Sequence, residues 1–393
     1  MTGSSKRELV EPASLHPTAS GVTEPSVAVP SAATGPVVNS HNEWDLLEEV
    51  IVGLVDDAML PEWDTINRFT VPAADWEPIC RALTGGKGRP YPQDMITAGR
   101  RALDNLVKIL EGEGVRVRRP DRVDYRRGFA TPAWSVSSGF SAANPRDVLL
   151  VIGNEIIEAP MADRSRFFEA WAYRSLLKEY FRSGAKWTAA PHPQLTDELY
   201  DPDYAASETA DAAPRFVLTE FEPTFDAAEF MRCGRDLFTQ LSHVTNRAGI
   251  AWLERHLGDD YRIHILESRD PHAIHLDSTF VPLAPGKVLV NPEYLNISKL
   301  PAVLKNWDLL FAPQGTYGSQ QRGLLSEWIH LNVLSIDAKR VIVESSQEPL
   351  INALRDWGFE PIPCAFAGYY PFVGSFHCAT LDIRRRGTLE SYV

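Results

Sequence analysis

The sequence predicts an α/β fold, and two observations support this class. Short aliphatic runs such as Val148–Ile152 alternate with longer segments, for example Asp94–Glu113, in which apolar residues recur at helical spacing. In the second half, the order strand, turn, strand, helix, strand occurs twice, over residues 280–311 and 332–364. Two copies of a ββαβ unit are typical of a repeat architecture, although an ordinary mixed α/β sheet would produce a similar alternation.

The elements follow from runs of β-branched residues, helical spacing and turn residues. In the first half we predict a strand at 50–53, a helix at 94–113 that ends at Gly114, strands at 115–117, 147–152 and 155–158, and helices at about 164–181 and 252–257. The first repeat unit has strands at 280–283, 288–290 and 309–311 and a helix near 297–307. The second has strands at 332–336, 341–343 and 361–364 and a helix at 347–357.

Residues 1–38 form a segment of different composition. They are rich in Ala, Ser, Pro, Val and Thr and show no apolar periodicity. Such a segment buries too little apolar surface to fold, so we expect a disordered tail. It carries no Lys or Arg between Arg7 and Ser40, which is unlike a transit peptide.

Composition limits the possible functions. The 393 residues are 44% hydrophobic and 23% charged, with a formal net charge of −13 and a pI of about 5.3. This balance argues against binding to nucleic acid, which requires a basic surface, and is compatible with a cationic small substrate. The apolar runs are too short to span a membrane.

Four widely spaced cysteines, at positions 80, 233, 364 and 378, include no CxxC pair. A structural zinc site is therefore not expected. No secretory apolar segment occurs near the N-terminus, so we expect a reducing, cytoplasmic location.

Cys378 is the first candidate for chemistry. It follows Gly368 and Gly374 and precedes the strand-like run 379–383 and the basic residues 384–386. A thiol with a reference pKa near 8.5 needs a cationic or dipolar environment to act as a nucleophile. The neighbouring His377 would point to the opposite face of a strand. A buried structural cysteine is the alternative.

Carboxylates and one imidazole complete the candidate set. On a strand, His275 and Asp277 would share one face and could line a pocket, although a surface histidine beside an acid would look similar. Asp226 lies among aromatic and acidic residues, which suits a guanidinium, but it could also begin a helix. Asp147 either opens a strand or belongs to a turn. A thiol, an imidazole and a carboxylate are the parts of a covalent-thiol enzyme.

Six segments are similar to those of a known family. They are HNEWDLLEEVIVG at 41–53, PRDVLLVIGNEIIEAPMADRSRFFE at 145–169, GAKW at 184–187, EPTFDAAEF at 222–230, HLDSTF at 275–280 and FHCATLDIRRRGTLESY at 376–392. In these segments the chain resembles the arginine-dependent amidinotransferases, which include glycine amidinotransferase, inosamine-phosphate amidinotransferase and enzymes that make guanidino natural products.

The resemblance implies the pentein fold, a five-bladed α/β propeller of ββαβ units, and a single domain over residues 39–393. It implies that Cys378 is the nucleophile, that His275 is the general acid and base, and that Asp226 holds the guanidinium and supports the histidine. Asp147 and Asp277 correspond to further guanidinium-binding acids, and Ser326 to a serine at the amino-acid end of the donor.

Substrate-end positions depart from the family pattern. Tyr294 stands where relatives have an arginine that binds the donor carboxylate. His272 and Ile274 replace the asparagine and methionine of the glycine enzyme, and Leu325 replaces a serine. These changes favour an acceptor larger than glycine, in specialised metabolism.

The implied reaction moves the amidino group of L-arginine to Cys378 and then to a small-molecule amine, with release of L-ornithine. It needs no metal or organic cofactor. The resemblance also leads us to expect a homodimer with no nucleic-acid or membrane partner. A guanidine hydrolase of the same fold, which would give citrulline and ammonia, is the alternative.

Overall fold

A computed structural model describes residues 35–62, 66, 70, 88–204, 215–316 and 325–392. A compact unit begins at Pro36 and extends to the C-terminus. Residues 1–34, which make up most of the predicted tail, and Cys80 lie outside the described ranges. Val38 is already fully buried, and Asn39 forms a bridge with Arg384.

Five three-stranded sheets occur in the described part of the chain, and all five share one plan. The middle strand pairs antiparallel with one neighbour and parallel with the other. The sheets are, in order, sheet 1 (Thr380–Arg386, Leu46–Val52, Arg116–Arg118), sheet 2 (Leu149–Ile152, Glu155–Glu158, Lys186–Ala189), sheet 3 (Met231–Cys233, Asp236–Gln240, Arg262–Leu266), sheet 4 (Phe280–Ala284, Lys287–Val290, Asp308–Phe311) and sheet 5 (Leu334–Ser335, Arg340–Glu344, Glu360–Cys364).

The repeated order of strands is therefore confirmed, and the two units found in the sequence are the last two of five. The first of these two, sheet 4, has 3₁₀ turns where a helix was predicted. In sheet 1 the first strand comes from the C-terminus of the chain and pairs with the N-terminal strand Leu46–Val52. Two short hairpins, Met59–Leu60 with Arg89–Pro90 and Phe129–Ala130 with Ser135–Val136, accompany the sheets.

An α-helix connects the second and third strands in four of the five sheets: Gln93–Gly112 in sheet 1, Arg174–Arg182 in sheet 2, Arg247–Leu257 in sheet 3 and Glu348–Asp356 in sheet 5. The first of these buries one face, which includes Leu103, Leu106 and Leu110, as its apolar spacing predicts. It ends before Gly114, whose positive φ of 81° suits glycine. None of the described helices is both long and apolar enough to cross a membrane.

Two predicted helices were wrong in part. The segment at 164–181 consists of the 3₁₀ turns Arg164–Arg166 and Glu169–Tyr173, followed by the α-helix Arg174–Arg182. The segment at 297–307 forms two 3₁₀ turns, Ile297–Lys299 and Ala302–Leu304. In the second case, Pro301 separates the turns, because proline lacks the N–H that a continuous helix needs.

Hydrophobic clusters join each sheet to the next. Ile51 of sheet 1 packs with Leu149 of sheet 2, and Leu150 of sheet 2 lies in one cluster with Leu237 of sheet 3. The remaining clusters join sheets 3 and 4 through Phe238 and Phe280, sheets 4 and 5 through Val281 and Val341, and sheets 5 and 1 through Ile342 and Val50. The five sheets are thus linked in a cycle, and their buried faces hold the intervening turns in place.

Candidate active site

Polar residues precede the first strand of every sheet. Each lies in or beside a short helical turn that ends at that strand: Asp147 before Leu149, Asp226 before Met231, Asp277 before Phe280, Asn332 before Leu334 and Cys378 before Thr380. All five are at least 97% buried. The repeat therefore supplies one polar side chain from equivalent positions of all five units.

Cys378 meets two of these residues directly. Its Sγ lies 3.4 Å from Oδ2 of Asp277 and 3.2 Å from Nδ2 of Asn332. Burial, followed by the charge of Asp277, raises the pKa of the Cys378 thiol to about 12. The thiol is consequently protonated at neutral pH in the free protein.

His275 lies between two carboxylates. Its Nε2 donates a hydrogen bond to Oδ2 of Asp226 at 3.0 Å, and its Nδ1 is 3.7 Å from Oδ1 of Asp147. A ring nitrogen of His275 and Sγ of Cys378 lie within 4.8 Å of each other. Burial alone would lower the pKa of His275, but the charge of Asp147, the hydrogen bond to Asp226 and the nearby thiol of Cys378 raise it well above 6.5. The predicted thiol, imidazole and carboxylate are thus brought together.

Asp277 reaches the thiol by a different route from the one predicted. The segment Leu276–Ser278 is a 3₁₀ turn, so the expectation that His275 and Asp277 share a strand face was wrong. Because the turn bends the backbone before sheet 4, His275 and Asp277 both meet Cys378. Asp147 lies in the short helix Pro145–Val148, and the strand that it was expected to open begins at Leu149.

His377 supports Asp277. Its Nδ1 donates to Oδ2 of Asp277 at 2.8 Å, and its Nε2 donates to Oε2 of Glu43 at 3.3 Å. Burial and Arg146 oppose protonation, but these two hydrogen bonds raise the pKa of His377. Burial would raise the pKa of Asp277, yet the partnership with His377 lowers it. Asp277 is therefore held as a carboxylate.

A buried ionic network continues behind His377. Arg232 binds Glu43 through Nε and Nη2, each at 2.7 Å, and its Nη2 also lies 2.6 Å from Oδ2 of Asp382. Arg146 and Arg385 bind the same Asp382. The strand after Cys378 carries Asp382 and Arg385, so this network anchors the segment that follows Cys378 to the core.

Arg166 is a buried guanidinium that the sequence did not single out. Its Nη2 lies 3.0 Å from Oδ2 of Asp147, and its Nη1 lies 3.6 Å from Oδ2 of Asp226. It also pairs with Glu169 at 2.8 Å and lies over the ring of Phe140. An arginine is almost never fully buried unless it is paired, but its local sequence does not show that it is buried.

Two carboxylates each have one buried oxygen that could accept a hydrogen bond from a cationic ligand. Oδ1 of Asp147 and Oδ1 of Asp226 are buried and have no hydrogen-bond partner among the described residues. Unpaired buried acceptors are costly, so a ligand with N–H donors would be stabilised here. The atoms of Asp147, His275 and Cys378 lie within 4.8 Å of one another and could also ligate a metal ion.

The loop before Cys378 is packed tightly. A Cβ on Gly374 would lie 2.7 Å from Cβ of Cys378 and 2.7 Å from Oδ1 of Asn144, so only glycine fits. Nδ2 of Asn144 donates to the carbonyl of Phe372 at 2.9 Å. The preceding Val373 has φ of 60°, a strained conformation for a β-branched residue. This strained residue lies five positions before Cys378.

The substrate-end candidates are held in separate segments. Tyr294 packs against the cluster between sheets 4 and 5, and its N–H donates to Oδ1 of Asn291. The backbone of His272 donates to Asp270, and Ile274 packs on a cluster with Val244. Ser326 accepts from the N–H of Trp328 at 3.2 Å. It follows the segment 317–324, which lies outside the described residues.

The chain that carries this site is similar to known proteins. The chain is 50% identical over 361 residues to the L-arginine:L-lysine amidinotransferase of Pseudomonas savastanoi pv. phaseolicola, and the alignment covers 92% of this chain and 97% of that protein. The chain belongs to the amidinotransferase family. No protein-family model matches it.

Two solved amidinotransferase structures are similar along most of their length. SxtG of Microseira wollei, from the saxitoxin biosynthetic pathway, is 61% identical with a TM-score of 0.87, over 91% of this chain and 100% of that one. Inosamine-phosphate amidinotransferase StrB1 of Streptomyces griseus is 38% identical with a TM-score of 0.82, over 91% of this chain and 99% of that one. This amidinotransferase is accordingly an enzyme.

A more distant likeness concerns the fold alone. The N-terminal domain of ArgZ, a cyanobacterial arginine dihydrolase, is 13% identical with a TM-score of 0.55 over 87% of this amidinotransferase and 98% of that chain. Together with the five three-stranded sheets of one plan, these neighbours identify the fold as the pentein fold, as predicted.

Proposed function

We propose that the enzyme transfers the amidino group of L-arginine, through a covalent adduct on Cys378, to an amine larger than glycine. The observation that carries this proposal is the contact set of Cys378, namely His275, Asp277 and Asn332 in one buried site with Asp147 and Asp226. A guanidinium is a poor electrophile, and carboxylates on its nitrogens orient it and stabilise the charge of the tetrahedral adduct.

Binding of the donor prepares the thiol. The free thiol is protonated because burial and the charge of Asp277 raise its pKa to about 12. A guanidinium between Asp147, Asp226 and Asp277 would offset these negative charges and lower the pKa of the thiol. One proton is then released, and the thiolate attacks the guanidinium carbon.

His275 serves both halves of the reaction. Held protonated by Asp147 and Asp226, it gives its proton to the departing nitrogen, and the carbon–nitrogen bond breaks to release ornithine. The amidino group remains on sulfur as a thiouronium cation. The neutral imidazole then removes a proton from the acceptor amine, whose nitrogen bonds to the carbon as the carbon–sulfur bond breaks.

The proposed acceptor is an amine of specialised metabolism. The names of the relatives include lysine, inosamine phosphate and the saxitoxin pathway, which supports this class of acceptor. Tyr294, in place of a family arginine, supports a changed substrate end. A cytoplasmic homodimer without a cofactor remains our expectation.

The decisive experiment follows labelled arginine. The protein is incubated with arginine carrying ¹³C in the guanidinium carbon and with single amines, including glycine, lysine and larger amino compounds. Ornithine and a labelled guanidino product are expected. Labelled citrulline with ammonia, formed equally without any amine, would instead establish the guanidine hydrolase.

A further inference from the structure

Asn332 is the fifth member of the set of residues that precede the first strands. The other four repeats contribute Asp147, Asp226, Asp277 and Cys378 at this place, and sheet 5 contributes Asn332. We propose that Asn332 is a catalytic residue whose side-chain amide donates a hydrogen bond to the sulfur of Cys378 and stabilises the thiolate in both half-reactions. The catalytic part of this inference depends on the proposed function, whereas its effect on the thiol does not.

The orientation of the amide is fixed by two backbone donors. Oδ1 of Asn332 accepts hydrogen bonds from the N–H of His377 at 2.9 Å and from the N–H of Cys378 at 3.3 Å. A flipped amide would place its NH₂ group against both of these N–H groups, which cannot accept. Nδ2 is therefore the atom that faces the sulfur, at 3.2 Å.

Burial makes this contact strong. Asn332 is 1% exposed and Cys378 is 3% exposed, so water competes little for either group. In such surroundings a hydrogen bond is electrostatically stronger than in water. A donor to an ionised acceptor contributes about 1.5–3 kcal/mol, which corresponds to about a 10- to 150-fold change in the thiol–thiolate equilibrium.

The charge balance of the site explains why such a donor is needed. Asp277 and Asp147 both disfavour the thiolate, and His275 favours it. In the proposed reaction, however, His275 gives its proton to the departing nitrogen and becomes neutral. An amide N–H is not transferred at neutral pH, so Asn332 keeps its donor when the thiolate is expelled in the second half-reaction.

Two substitutions separate the sulfur contact from the backbone anchor. Asn332→Asp keeps an oxygen for the two N–H groups but replaces the donor to sulfur by a second acceptor. Asn332→Ala removes the anchor and the donor together. Asn291→Asp is a matched control, because Oδ1 of Asn291 also accepts from two backbone N–H groups and the residue is fully buried.

The readout is alkylation of the free protein by iodoacetamide as a function of pH, with each cysteine quantified by peptide mass spectrometry. Below the thiol pKa, the rate at Cys378 is proportional to the thiolate fraction. We expect Asn332→Asp and Asn332→Ala to slow this rate by about 10- to 150-fold. The buried Cys233 and Cys364 act as internal controls, since a loosened fold would expose them to faster alkylation.

An unchanged or faster rate at Cys378 in Asn332→Asp would overturn the proposal. Asn332→Ser, which is a smaller perturbation and retains an oxygen near the two N–H groups, replaces these variants if they do not fold, with the same expected slowing. In single-turnover experiments, formation of the amidino adduct on Cys378 and transfer of the amidino group from Cys378 to the acceptor amine should both be slower in the variants. If wild-type protein forms no adduct while the alkylation effect persists, the proposed function fails and the sulfur contact stands.

Discussion

His377 donates a hydrogen bond to Asp277, and Asp277 in turn accepts from the thiol of Cys378. His377, which is next to Cys378 in sequence, therefore contacts the thiol indirectly, through a carboxylate 100 positions away. This arrangement keeps Asp277 charged next to sulfur. The charge disfavours the thiolate in the free protein, and under the proposed function a bound guanidinium would offset it.

Asp277→Asn should separate these two effects. Loss of the charge is expected to lower the pKa of the Cys378 thiol and to speed its alkylation at pH 8 in the free protein. Turnover of arginine should fall, because one guanidinium-binding acid is lost. Mass mapping of alkylated Cys378 and an amidino-transfer assay measure the two quantities. Slower alkylation of Cys378 would contradict the role given to the Asp277 charge.

Arginine without an acceptor should leave one amidino group on Cys378. The adduct accumulates because the second half-reaction lacks its amine. Intact-mass spectrometry should show the added group on the wild-type protein, and Cys378→Ser should lack it. An unmodified wild-type protein that still converts arginine and an amine would exclude the covalent route.

His275→Ala and Asp226→Asn should each lower the transfer rate by about 10²- to 10⁴-fold, the usual contribution of proton transfer. Thermal unfolding should show that both variants are folded. His256→Ala is the matched control, because His256 also bonds to a carboxylate, Glu155 at 3.0 Å, but outside the site. If either His275→Ala or Asp226→Asn retained near wild-type activity, the role assigned to that residue would be wrong.

Tyr294→Arg should tighten arginine binding or leave it unchanged, and should alter acceptor preference. An arginine offers a charged, bidentate contact to a carboxylate, whereas tyrosine offers one neutral hydroxyl. Donor KM and the acceptor profile are compared with those of Tyr294→Phe, which removes only the hydroxyl. A large loss of arginine use with unchanged acceptor choice would show that Tyr294 is misplaced in this scheme.

Arg232→Met should destabilise the fold by about 3–5 kcal/mol, because Glu43 and Asp382 would lose a buried partner. Arg232→Met is compared with Arg235→Met, whose exposed pair with Asp260 contributes at most about 1 kcal/mol. Urea unfolding at pH 7 measures both differences.

The loss of folding stability in Arg232→Met should depend on pH in a defined direction. Arg232 contributes to holding the pKa values of Glu43 and Asp382 below their usual range. The stabilisation is present above the unfolded pKa of about 4 and is lost as pH falls through the folded values. The difference in the free energy of unfolding between wild type and Arg232→Met should therefore become smaller at acidic pH. A difference that grows as the pH falls would contradict the stabilisation assigned to Arg232.

The sequence determined the elements that depend on local patterns. Aliphatic runs located strands in four of the five sheets, whereas no strand of sheet 3 was predicted. Helical spacing located Gln93–Gly112 and Glu348–Asp356. The motif resemblance also pointed to Cys378, His275 and Asp226, since collinear segments carry residue types in order. Prediction failed at 297–307, where Pro301 divided a segment whose apolar spacing suggested one helix.

Only the tertiary structure decided which groups surround the thiol. Asn332 is 46 positions from Cys378, and the partners of Arg166 lie on separate turns before sheets 2 and 3. These contacts exist because packing of five separate sheets brings the turns before their first strands together. Local propensity carries no information about such distant pairings, and the charge state of each buried group depends on them.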